Sequence, residues 1–85
     1  MEKLTINLAT RFADRRMNFL IDANPKLYVE LEKKGALKQH LLETGRQAAE
    51  MYETLERQML AEGKIPAHEI PLIVQEIVLN DVVFA

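Results

Sequence analysis

The sequence predicts an all-α fold, a small helical bundle of three main helices and one short helix arranged around a long central helix. Residues 36 to 62 contain no proline, and their apolar or small side chains recur three or four positions apart, which is the period of one helix face. These positions are Leu37, Leu41, Gly45, Ala48, Tyr52, Leu55 and Met59. At about 1.5 Å per residue this helix is about 40 Å long, so the rest of an 85-residue chain must pack against it.

The helix boundaries follow from capping residues. Asn7 is a candidate N-cap for the first helix, with residues 1–7 as an extended arm or a frayed lead-in. Asn24 followed by Pro25 is typical of a helix start, and Gly35 and Gly63 are typical of the residue that follows a helix end. The sequence therefore predicts one domain, residues 1–85, with helices at residues 8–23, 25–34, 36–62 and 70–83.

Two local alternatives remain open at this stage. Gly35 is compatible with a kink between two nearly continuous helices. The last five residues are rich in β-branched side chains, which also favour a strand.

The C-terminal segment, residues 72–84, is apolar around most of a helical circumference, with only four polar residues. A helix of this kind is buried on most sides, either in the core of its own chain or against a second copy or a partner. The small residues around Gly45 offer a further surface for close approach. The candidate interface residues are Gly45, Ala48, Tyr52, Ile73, Val78, Val82 and Phe84.

The only basic cluster lies in the first helix. Arg11, Arg15 and Arg16 form this cluster, with Lys3 as a further candidate member. The three arginines lie off the apolar stripe of the helix, which consists of Leu8, Phe12, Ala13, Met17, Leu20 and Ile21. The three arginines are candidate phosphate contacts, although acidic residues interrupt the cluster and no aromatic residues are interleaved for base stacking. A DNA-binding accessory factor is therefore the second hypothesis.

Other functional classes lack support in the residues. The chain has no cysteine and a net charge of −2, and neither His40 nor His68 has the spacing of a metal ligand pair. We expect no enzymatic activity, no metal or other cofactor and no small-molecule substrate. No signal peptide and no membrane-spanning run is visible, so we expect a cytoplasmic protein.

The C-terminal run from Glu76 to Ala85, EIVLNDVVFA, resembles the C-terminal signature of the TnpV proteins, which are small accessory proteins encoded on bacterial transposons. Further similarity covers Asn24 to Leu31, Gly35 to Leu37, Leu41, Ala48 and the pair Gln58 and Met59, so that the resemblance spans about residues 16 to 85. It implies a mobile-element setting and assigns no catalytic residues.

The first hypothesis for function is therefore a non-enzymatic interaction protein of a bacterial mobile element. It would bind a protein partner or form a homodimer through the apolar C-terminal helix.

Overall fold

The computed structural model describes the backbone of residues 2–85 and the side chains of residues 8–85. Its helices are α1 (Glu2–Ala23), α2 (Pro25–Lys33), α3 (Leu37–Glu62) and α4 (Ile70–Val78), and α4 continues as a π-helical C-terminal turn (Leu79–Val83). No strand occurs among residues 2–85. The all-α prediction is confirmed, and the alternative of a C-terminal strand is wrong.

Helix α1 begins six residues earlier than the sequence predicted. It starts at Glu2, so Asn7 lies inside the helix and is not its N-cap, and residues 2–7 are not an extended arm. Leu4 and Leu8 continue the four-residue spacing through this segment, and one asparagine costs a helix well under about 1 kcal/mol. Periodicity therefore outweighs the capping preference of Asn7, whose side chain lies outside the described part of the structure.

The other caps agree with the prediction. The Asn24 side-chain oxygen accepts a hydrogen bond from the Leu27 backbone N–H at 3.4 Å, and Pro25 opens α2. Gly35 and Gly63 have φ angles of 70° and 67°, the left-handed conformation that glycine adopts without strain. Gly35 therefore separates α2 from α3, and the kink alternative is wrong.

Helix α1 runs antiparallel to α3, and the two make the most extensive helix pair of the fold. The two helices approach each other closely at Gly45, since a Cβ atom there would overlap the Ala9 carbonyl oxygen and lie 3.1 Å from the Ala13 Cβ. Ala48 and Ala49, one turn further on, are fully buried. The small residues of α3 therefore accommodate the backbone of α1.

Helix α4 packs against α3 with its inner face in the core, and the C-terminal turn contacts both α1 and α3. Ile70, Val74 and Val78 are buried at intervals of four residues, and the next buried residue, Val83, follows after five. The π-helical turn adds the extra residue, so that Val83 rather than Val82 returns to the core. These side chains pack with Phe12 and Ala48.

The bundle is long and thin. Its Cα atoms extend over 46 × 26 × 14 Å, and the radius of gyration is 14.2 Å, against about 12 Å for a compact domain of this length. The expectation that the C-terminal segment is buried on most sides is correct only for its inner face, because Leu72 is 72% exposed and Phe84 is 39% exposed. Four other large apolar residues are also exposed: Ile21, Val29, Leu42 and Leu60.

Candidate interaction surface

Arg16 of α1 forms hydrogen bonds with the C-terminal end of the chain. Its Nη1 atom donates hydrogen bonds to the carbonyl oxygens of Val83 at 2.9 Å and Ala85 at 2.6 Å, and its Nε atom donates to His40 Nε2 at 3.3 Å. The guanidinium carbon also lies 5.6 Å from the centre of the Phe19 ring. Carbonyl groups at a helix end lack intrahelical donors, and the planar guanidinium supplies them in a fixed geometry.

This position of Arg16 corrects the sequence prediction. Arg16 is 7% exposed, so it is a buried structural residue and not an exposed phosphate contact. Burial lowers the pKa of the guanidinium below its usual range. The spacing of four between Phe12, Arg16 and Leu20 was the available signal, because it places Arg16 on the buried side of α1.

His40 is half-buried at the other end of this network, whereas His68 is exposed. Burial lowers the pKa of His40, the positive charge of Arg16 lowers it further, and Glu43 opposes the shift. The neutral imidazole accepts the hydrogen bond from Arg16, and a protonated ring would have no lone pair for it.

We therefore expect stability to fall on mild acidification. The pKa of His40 lies below 6.5 in the folded chain, so the unfolded chain binds this proton more readily. The free energy of unfolding is unaffected by this group above pH 6.5 and decreases as the pH drops from there through the lowered pKa. Urea unfolding at pH 7.5 and at about pH 5.5 measures the difference.

The His40→Gln variant is the matched control, because an amide oxygen can accept from Arg16 and does not titrate in this range. Its stability should change less than that of the wild type between the two pH values. An equal change in both proteins would contradict the role assigned to His40.

The anchored C-terminus and α1 together form an open groove of about 560 Å³. The groove is lined by Arg11, Asp14, Arg15, Asn18, Phe19, Asp22 and Phe84, and all of the charged residues among them are exposed. The Phe19 and Phe84 rings lie 5.3 Å apart between centroids and are inclined by 32°. Tilted ring pairs at this distance attract each other, so the partly exposed Phe84 is held in place at the groove.

A smaller cavity of about 30 Å³ adjoins the groove along α1. It is lined by Leu8, Arg11, Phe12, Arg15, Tyr52 and Gln75. Tyr52 packs against Phe12 with a ring separation of 6.2 Å, and burial, followed by the charge of Glu56, raises the pKa of its hydroxyl while Arg11 lowers it. Arg11 and Arg15 line both depressions, and Gln75 of α4 lines only the smaller one.

The structure separates the predicted interface residues into two groups. Gly45, Ala48 and Val78 are buried within the chain, so they are not surface residues. Tyr52, Ile73 and Val82 are half-buried and Phe84 is exposed, so these four stay candidates. Of the predicted basic residues, Arg11 and Arg15 lie together on the groove, Arg16 does not, and the side chain of Lys3 lies outside the described residues.

Among the residues that the structure describes, no group of three or more histidine, cysteine or acidic side chains could hold a metal ion. None of the helices in this described part of the chain is long and apolar enough to cross a bilayer.

Comparison with known proteins shows the family of the chain. The family model described as transposon-encoded protein TnpV matches residues 2–83, nearly the whole chain. The protein is a member of the TnpV family. No curated protein and no solved structure matches it.

The match confirms the resemblance to the TnpV family and extends it from about residue 16 to residue 2, which includes the whole of α1. The matched region contains the whole α1 side of the groove and Arg16. The family description says that these proteins are transposon-encoded and names no activity.

Proposed function

We propose that this TnpV protein is a non-enzymatic accessory protein of its transposon. It acts in the cytoplasm by binding a protein, either a second copy of itself or another partner, through the groove between α1 and the C-terminal turn. The observation that carries this proposal is the partly exposed Phe84, held against Phe19 at the edge of an open groove.

The C-terminal segment holds Phe84 in a partly exposed position at the groove. Arg16 fixes the carbonyl groups of Val83 and Ala85 on both sides of Phe84, so the ring is ordered before any partner binds. A pre-ordered aromatic side chain loses little conformational entropy on binding, and aromatic residues beside arginine are typical of binding hot spots.

Site-specific photocrosslinking tests the proposal. A photoreactive phenylalanine analogue introduced at position 84 should crosslink to a protein when the chain is expressed in a cell that carries the transposon. The same analogue at Gln47, an exposed position of α3, provides the matched control.

Adducts from position 84 and none from position 47 are the expected result. Their mass distinguishes self-association, at twice the 9.8 kDa of the chain, from binding of another protein. Equal labelling at both positions, or no adduct at position 84, would contradict the proposed surface.

DNA binding is the second candidate, and one observation favours it. Arg11 and Arg15 are exposed and adjacent on the groove, where they could contact phosphates. Asp14 and Asp22 line the same groove, however, and cancel their charge. DNA binding would require a gel shift that weakens steeply with salt and is lost in the double variant Arg11→Ala and Arg15→Ala.

A further inference from the structure

We propose that the partner at the groove is a second copy of this chain, and that the groove faces of the two α1 helices pair antiparallel about a two-fold axis. This inference rests on the proposed function and specifies its partner. It follows from the order of the charges on α1.

Six groove residues of α1 form one symmetric set. Their positions are 11, 14, 15, 18, 19 and 22, which all lie on one helix face. When two identical helices pair antiparallel with the axis between residues 16 and 17, position i of one lies opposite position 33 minus i of the other. Each of the six positions then lies opposite another member of the set.

The chemistry of the opposed residues is complementary. Arg11 of one copy faces Asp22 of the other, and Arg15 faces Asn18, whose amide oxygen can accept from a guanidinium. Asp14 faces Phe19 and lies one turn from Arg15 of the other copy. Because the axis repeats every contact, the dimer contains two of each.

The charges on this face sum to zero, with two arginines and two aspartates. A nucleic acid would meet no net positive charge here, whereas a second copy places Asp22 opposite Arg11 at two symmetric contacts. Exposed ion pairs contribute little affinity, but they select the partner and fix its orientation.

The aromatic pair supplies apolar area near the proposed axis. Phe19 lies about 4 Å along the helix from the midpoint between residues 16 and 17, at about 1.5 Å per residue. The Phe19 and Phe84 rings of each copy would therefore flank the axis from opposite sides. Isologous contacts of this kind need only one self-complementary surface.

Charge reversal at one contact tests the geometry by sedimentation velocity. The single variants Arg11→Asp and Asp22→Arg each place like charges opposite each other in both contacts, and we expect dimerisation to weaken by about tenfold or more. Both residues are exposed, so far-ultraviolet circular dichroism should be unchanged.

Two samples that combine the substitutions test the pairing most directly: the double variant and a mixture of the two single variants. The double variant, which carries both substitutions, restores opposite charges and should dimerise about as tightly as the wild type. An equimolar mixture of the two single variants should form heterodimers, because both of its contacts are again complementary. Lys38→Asp, an exposed charge reversal outside the groove, should have no effect.

Failure of this inference is distinguishable from failure of the proposed function. A monomeric wild type, or a wild-type dimer that neither single variant weakens, would overturn the antiparallel pairing. Crosslinks from position 84 to a protein of another mass would in that case still support the proposed binding surface.

Discussion

Replacing Gly45 with alanine should destabilise the protein by about 2 kcal/mol or more, although alanine is the better helix former by about 1 kcal/mol. The added methyl group would overlap the Ala9 carbonyl oxygen, and a backbone atom cannot rotate away as a flexible side chain can. The whole of α1 would have to move outward from α3. Thermal unfolding should show a melting temperature lower by about 8 °C or more for a chain of this size.

Gln47→Ala is the control, because Gln47 is an exposed residue of α3. It should change the free energy of unfolding by no more than about 0.5 kcal/mol. A Gly45→Ala variant as stable as the wild type, or more stable, would contradict the close approach of α1 and α3.

The second large effect is expected at Arg16. The Arg16→Met variant keeps an apolar stem of similar shape but loses every donor, which leaves the carbonyl oxygens of Val83 and Ala85 and the imidazole of His40 without this partner. We expect a loss of about 2–4 kcal/mol, since hydrogen bonds to charged groups are stronger than neutral ones. Urea unfolding measures the loss, and faster amide exchange at residues 79–84 would locate it at the C-terminal turn.

Two variants separate geometry from charge. Arg16→Lys keeps the charge, but one ammonium group cannot reproduce a planar fork, so its stability should be intermediate. Arg15→Met removes an exposed neighbour and should cost no more than about 0.5 kcal/mol. Equal stability of Arg16→Met and Arg15→Met would contradict the anchoring of the C-terminus by Arg16.

Local signals in the sequence were sufficient for most of the fold. Asn24 and Pro25 predict the start of α2 because capping is a contact between near neighbours, and Gly63 predicts the end of α3 for the same reason. The low helix propensity of Gly45 predicts a packing reason at that position. The identity of its neighbour is a long-range property, and only the structure assigns it to α1 rather than to a partner.

The candidate surface was less accessible from sequence. Arginine is seldom fully buried, so the sequence groups Arg16 with Arg11 and Arg15, although its spacing places it on the inner side of α1. The π-helical turn has no sequence signature, yet it decides that Val83 is buried and Val82 only half-buried. The pairing of Phe19 with Phe84 depends on the buried Arg16 and on the π-helical turn, so it could not be predicted from the sequence.

We propose that the chain associates with itself through the groove formed by α1 and Phe84. Light scattering of the purified protein over a range of concentrations tests it most directly. We expect a mass that rises to twice the 9.8 kDa of the chain and stays near 9.8 kDa in the Phe84→Glu variant with unchanged helix content. A wild-type protein that remains at 9.8 kDa at every concentration would contradict self-association through this surface.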